Sequence, residues 1–182
     1  AAAAANGQEP GDIKVQDVDG NGVITTDDRI IYSQRPDVTF GFNNTFNYKG
    51  FDLSVFLYAR LGQWIAYDYN TTYRINALEN GGNVDYWTPE NPTNAFPRPN
   101  KSKSYTQVTY YSTLKYEDGS FFKIRDITLG YTFKPELLKH LNLSRLRVYA
   151  TAKNFFTFSK IDNYDPEQGG SISFPMTKQL VF

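Results

Sequence analysis

Residues 38 to 48 alternate in character along their whole length. Val38, Phe40, Phe42, Phe46 and Tyr48 share one parity, and Thr39, Gly41, Asn43, Thr45 and Asn47 share the other. Successive side chains of an extended strand point to opposite faces, so this pattern predicts a strand with one apolar and one polar side. Asn44 alone interrupts the apolar parity. Lys49-Gly50 follows as a two-residue hairpin signal, the glycine supplying a positive φ. The return strand sets Phe51, Leu53, Val55, Leu57, Ala59 and Leu61 against Asp52, Ser54, Phe56, Tyr58 and Arg60. A third strand places Ile127, Leu129, Tyr131 and Phe133 opposite Asp126, Thr128, Gly130 and Thr132. Phe121 to Arg125, just ahead of it, lose this parity, as a bulge or a strand end above the membrane would impose.

Lys134 to Asn142, with Pro135 at a helix-start position, predicts one short helical turn. A fourth strand has Leu146, Val148, Ala150 and Ala152 against Arg145, Arg147, Tyr149, Thr151 and Lys153, and a fifth begins near Thr177 with Leu180 and Phe182 on one parity. The connections alternate in length: 49–50 is tight, 62–118 long, 134–144 short and 155–176 longer again. A tilted strand of about 9–11 residues crosses a bilayer, and outer-membrane barrels keep short turns on one side and long loops on the other. A soluble β-sandwich has no reason to segregate its loops by length. The expected fold is therefore all-β: an antiparallel transmembrane β-barrel segment of about five strands with long extracellular loops. The smallest common closed barrels need about eight strands, so five must belong to a larger one.

Composition agrees with this picture and narrows the chemistry. Fourteen Tyr and fourteen Phe make the chain 16% aromatic while its mean hydropathy is only −0.52. No run of about 18 apolar residues is present, which excludes a transmembrane helix but leaves strands of alternating character open. Nineteen basic and nineteen acidic side chains balance, leaving no basic patch for nucleic acid. The chain has no cysteine, a single unpartnered His140, no nucleophile elbow and no phosphate-cradling glycine loop, so it is not expected to be an enzyme. A glycosidase fragment would need two facing carboxylates, which linear sequence does not reveal.

Asp17 to Asp28 carry a different signal. Oxygen-bearing side chains stand at loop positions 1, 3, 5, 9 and 12 (Asp17, Asp19, Asn21, Thr25 and Asp28), with Gly22 at position 6. That spacing wraps a hard cation in oxygens while glycine makes the sharp turn. The expected ligands of a structural Ca²⁺ are the side chains of Asp17, Asp19, Asn21 and Asp28, the Val23 carbonyl, and Thr25 through water. The competing reading is an Asx-turn surface loop without an ion. Asp28 stands where glutamate is usual, and the flanks do not read as a long helix pair. The organisation expected is 1–5 as an artefact or residues of unassigned identity, 6–37 as an extracellular loop holding this cation motif, and 38–182 as barrel strands and loops. The chain is expected to begin inside a longer protein. Aromatics crowd loop 62–118 (Trp64, Tyr67, Tyr69, Tyr73, Tyr86, Trp87, Tyr105, Tyr110, Tyr111) and suit loop packing or an interfacial girdle better than ligand stacking. Arg60, Arg145, Arg147 and Lys153 on the polar parity suit salt bridges in a wet lumen better than a substrate path.

Several motifs, in order, resemble the C-terminal part of SusC/RagA-type TonB-dependent outer-membrane transporters. They run from Gly11-Asp12-Ile13-Lys14 and the Asp17–Ile24 loop through Tyr48-Lys49-Gly50-Phe51-Asp52-Leu53 and Tyr86-Trp87-Thr88-Pro89-Glu90-Asn91-Pro92. They continue with Glu117-Asp118-Gly119-Ser120-Phe121, Leu129-Gly130-Tyr131, Leu146-Arg147-Val148-Tyr149, Asn154-Phe155-Phe156-Thr157-Phe158 and Tyr164-Asp165-Pro166-Glu167. The resemblance implies a larger barrel of about 22 strands in the outer membrane of a Gram-negative bacterium. It also implies import of oligosaccharides or peptides, a plug and the remaining strands elsewhere in the chain, TonB reached through an N-terminal part, and a SusD-like surface lipoprotein as lid. On this reading the C-terminus is periplasmic, strand 38–48 descends, and the cation loop lies outside the cell. A soluble calcium-dependent carbohydrate-binding β-module is the alternative, and it predicts a monomer that needs no detergent.

Overall fold

The computed structural model describes residues 9–66, 85–98, 116–162, 164–171, 174 and 176–182. Ala1–Ala5 and the aromatic residues Tyr67, Tyr69, Tyr73, Tyr105, Tyr110 and Tyr111 lie outside them. The chain divides into two compact units, one of residues 1–32 with 66–117 and one of residues 33–65 with 118–182.

The second unit is built on β1 (Val38–Tyr48), β2 (Phe51–Leu61), β5 (Phe121–Thr132), β6 (Arg147–Ser159) and β7 (Gln179–Val181), antiparallel and ordered β1-β2-β5-β6-β7. Short strands β3 (Trp64–Ala66) and β4 (Tyr116–Asp118) occupy the excursion between β2 and β5. The β1–β2 hairpin keeps its register along both strands. Phe42 faces Leu57, Phe46 faces Leu53 and Tyr48 faces Phe51, while Thr39 faces Arg60 and Asn47 faces Asp52. Lys49 and Gly50 turn with φ of 47° and 91°, as the sequence predicts. Asn44 stands opposite Val55 on the apolar side.

The loss of parity before Asp126 is a bulge at Arg125. Phe56 pairs with Asp126 but Leu57 with Ile124, leaving Arg125 over. The shift returns Phe122 and Ile124 to the apolar side, opposite Ala59 and Leu57. Pro135–Leu138 (α1) forms the expected helical turn and runs into a 3-10 turn over Lys139–Leu141, closed by Asn142 in the left-handed region at φ 52°. β6 is longer than its sequence reading. It continues through Asn154-Phe155-Phe156-Thr157-Phe158 to Ser159, where the sequence suggested a loop, with Asn154 absorbing the irregularity at φ 58°.

The apolar side of the sheet is open. Phe46 is 60% exposed, Leu129 52% and Phe158 59%, and Val148 and Leu180 continue the same surface. Among the described residues only Ala59, Ile65, Phe121, Leu138 and Ile161 are buried hydrophobics. A water-soluble sandwich would bury these strand faces against a second sheet. Here they are left uncovered among the described residues.

At the neck where β2 ends and β5 begins, three hydrogen bonds clasp the chain. The Gly62 N–H donates to Ser120 Oγ (3.0 Å), Gln63 Nε2 donates to the Gly119 carbonyl (2.7 Å), and the Gly119 N–H donates to the Gln63 carbonyl (2.9 Å). A Cβ on Gly119 would stand 2.7 Å from Ile65 Cγ2, so the clasp needs glycine there.

Candidate functional site: a cation loop and a charged sheet face

Within the first unit, the Asp17–Asp28 loop is organised by its own acidic side chains. Asp17 accepts the N–H groups of Gly20 (2.7 Å) and Gly22 (2.8 Å), one on each oxygen. Asp28 likewise accepts from Val18 and Thr25, both at 2.7 Å. These two amides, Thr25 foremost, hold the Asp28 carboxyl below its ordinary value. Asp19 takes the Asn21 backbone N–H at 3.0 Å and Asn21 Nδ2 at 2.7 Å. Asn21 Oδ1 accepts the Val23 N–H at 2.8 Å, and Thr25 caps the 3-10 turn Thr26–Asp28 through Asp27 N–H. Gly20 and Gly22 adopt φ of 74° and 85°, which gives the winding its sharp turns.

The winding draws Asp17, Asp19 and Asp28 together, with one carboxylate oxygen of each within 4.8 Å of the others. Three like charges so close repel unless a cation lies between them. A carboxylate oxygen with one N–H bond retains a second lone pair, so the loop's own hydrogen bonds leave acceptors for a metal. The donor set is all oxygen, which suits a hard divalent cation rather than zinc or copper. The residues present therefore fit Ca²⁺. Asn21 and Thr25 belong to the same winding, whereas Val23 contributes its N–H to the observed network.

Elsewhere in this unit the Trp-Thr-Pro-Glu-Asn-Pro motif forms a compact turn. Thr88 and Asn91 exchange backbone hydrogen bonds at 3.1 Å. Asp85 accepts from Asn91 Nδ2 (2.8 Å) and Thr93 Oγ1 (2.7 Å), bonds that lower its pKa. The Trp87 indole lies on Gly11, whose φ of 87° and missing Cβ allow the approach. Arg98 fastens the turn to Glu9 and Asp12. An open cavity of about 990 Å³ is lined by Lys14, Val18, Arg29, Tyr32, Trp87 and Phe96 among others. Nothing in the linear spacing marks these residues as neighbours.

In the second unit the polar side of the sheet carries the charges. Arg147 holds Asp52 with two parallel bonds, Nε to Oδ1 at 3.0 Å and Nη2 to Oδ2 at 2.5 Å. The pair spans from β6 to β2 across Gly130 of β5, where a Cβ would stand 2.5–2.6 Å from both partners. Arg60 Nε donates to Tyr58 Oη at 2.8 Å, and Arg125 also lies over the Tyr58 ring. Lys153 faces Asp126 across the ladder. For Arg147, the salt-bridge reading of the polar-face cations is the one observed.

No family model matches the sequence. The chain is 34% identical over 167 residues to the TonB-dependent receptor P3 of Formosa agariphila, covering 87% of this chain and 16% of that protein. It is 31% identical over 173 residues to the TonB-dependent receptor SusC of Bacteroides thetaiotaomicron, covering 91% of this chain and 16% of that receptor. The fold matches the RagAB peptide importer in its open-open state with a TM-score of 0.64 and 25% identity, over 93% of this chain and 19% of that one. The chain is a barrel segment of the SusC/RagA type of TonB-dependent receptor. This receptor segment therefore spans about a sixth of the length of the curated relatives it matches. Those relatives are receptors and a peptide importer rather than enzymes. The antiparallel barrel-segment fold expected from strand parity is the fold observed.

Proposed function

We propose that this segment is wall and outer rim of an outer-membrane importer that takes up oligosaccharides or peptides. The observation that carries the reading is the five-stranded meander itself, with an open apolar face on one side and ion-paired polar residues on the other. Such a sheet suits lipid outside and water inside. Its outer strands β1 and β7 have one unpaired edge each, which neighbouring strands of the full receptor would complete. A plug and a TonB-contacting part would be supplied elsewhere in that receptor. Partnership with a SusD-like lipoprotein is drawn from the likeness to SusC and RagAB, and the soluble carbohydrate-binding module is not favoured. The test is deletion of residues 80–100 in the full-length receptor, followed by lipoprotein co-purification and nutrient uptake. Loss of either supports the rim role; survival of both unchanged overturns it.

The Asp17–Asp28 loop is proposed to hold a structural Ca²⁺ outside the membrane. Asp17, Asp19, Asn21 and Asp28 would supply side-chain oxygens, Val23 a carbonyl, and Thr25 a water-mediated contact. Bound there, the ion would neutralise the three converging carboxylates and stiffen the loop. Calorimetric titration of the full-length receptor with Ca²⁺ should give one binding event that Asp17→Asn abolishes. Absence of heat in the unaltered receptor overturns the assignment.

A further inference from the structure

Lys123 is 0% exposed, although lysine is among the residues least often fully buried. It sits on the polar side of β5, opposite Tyr58 of β2 and Thr157 of β6. Its Nζ donates to Asp165 Oδ2 at 2.6 Å and to Glu167 Oε2 at 2.8 Å, across 42 and 44 residues of chain. Arg125 reaches the other Glu167 oxygen at 3.2 Å. Two cations thus meet two carboxylates, and the cluster is neutral.

The acidic partners are prepared by their own turn. Pro166 is buried and opens a 3-10 turn over Pro166–Gln168, which presents Asp165 and Glu167 towards the same ammonium. Asp165 Oδ1 also caps the turn by accepting the Glu167 N–H at 3.0 Å. Gly169 and Gly170, with φ of 67° and 91°, bend the chain away at once. Tyr164 Oη contacts Gln168 Oε1 (2.8 Å) and the Phe174 carbonyl (3.2 Å), so the segment holds its own shape as well as its anchor.

We infer that Tyr164–Gly169 is a strap folded back over the polar face of the barrel wall and latched by Lys123. The chain leaving β6 is thereby held against the inner surface rather than rising free of it. Lys123 is a positioning residue: it fixes the cover over this part of the wall. The latch stands on the geometry of the strap and holds whether or not the receptor imports the proposed substrates.

The test uses the full-length receptor in a cysteine-free background with a nitroxide label at Phe174→Cys, a position 81% exposed and tied through its carbonyl to Tyr164. Heat-modifiable gel migration reports barrel folding independently. With Lys123 present the label should be predominantly immobile. Lys123→Met removes the ammonium from two half-buried carboxylates, leaving Glu167 only Arg125, and should raise the ratio of mobile to immobile strap about a hundredfold, with the barrel still folded. Glu167→Gln, which keeps Asp165 and softens only one arm, should give a smaller rise and serves if the first variant does not fold. A folded Lys123→Met or Glu167→Gln receptor whose label stays as immobile as in the unaltered protein overturns the latch.

Discussion

Placing a charge on the lipid side of β2 separates a membrane wall from a soluble sheet. The strand runs eleven residues, Phe51 to Leu61. At about 3.3 Å per residue and a tilt near 40°, its ten intervals rise about 25 Å, the height of the apolar band of an outer-membrane barrel. Val55 lies four residues in, about 10 Å from the Phe51 end and therefore within a few ångströms of the midplane. It faces Asn44 on one side and Ile127 on the other. Val55→Arg should then destabilise the full-length receptor by about 2–4 kcal/mol, while Phe51→Arg at the rim should cost about 0–1 kcal/mol. Ser54→Arg is the control at nearly equal depth on the opposite face, where the guanidinium meets water and the Thr45 and Thr128 side chains; its expected cost is below about 1 kcal/mol. Reversible urea unfolding in phospholipid vesicles, followed by tryptophan fluorescence, reads all three. Equal losses for Val55→Arg and Ser54→Arg would refute the assignment of faces. Equal losses for Val55→Arg and Phe51→Arg would refute the depth.

Two further outcomes follow from the side-chain geometry. Gly130→Val should push Arg147 away from Asp52, because the new Cβ would overlap both partners; Asp52→Asn should then change the urea midpoint far less in that background than alone, and equal changes would count against the bridge over Gly130. Because the Asp28 carboxyl is held below its ordinary value by the Thr25 and Val18 amides, the order it confers is complete above the unfolded carboxyl value of 3.8 and is lost as pH falls through the lower, folded value. Protection factors of the Val18 and Thr25 amides, corrected for the intrinsic pH dependence of exchange, should fall over that acidic window and stay level between pH 5 and 8, whereas loss of protection already at pH 5 would contradict the shift.

Parity made the hairpin legible. β1 and β2 alternate without slippage and meet at Lys49-Gly50, so their register is set by local chemistry alone. The break in parity over Phe121 to Arg125 was legible too, but parity alone left a bulge and a strand end open, and only the ladder to β2 places the bulge at Arg125. The upper half of β6 was not legible. Phe155 and Phe156 are both apolar and adjacent, and Asn154 takes a left-handed conformation that in sequence signals a turn. Aspartate spacing marked Asp17–Asp28 as a candidate cation site, and the folded loop gathers Asp17, Asp19 and Asp28. Partners distant in sequence left no periodic trace. Neither Lys123 with Glu167 nor Arg98 with Glu9 is encoded in local spacing, because each depends on where the sheet or turn returns the chain.

The clasp at Gly62, Gln63, Gly119 and Ser120 has a consequence for how such receptors diversify. β2 and β5 are adjacent in the sheet although the chain between them leaves and returns, and the exit and entry points are tied to each other. What the chain inserts between the two tied ends is thus a cassette whose length does not have to match the strand register. Doubling the length of such an insert raises the entropy of closing it by only about 0.6 kcal/mol. Natural variation can therefore exchange or lengthen the cassette while the wall keeps the same ladder, and homologous receptors should differ in length beyond Gln63 far more than within β2 or β5.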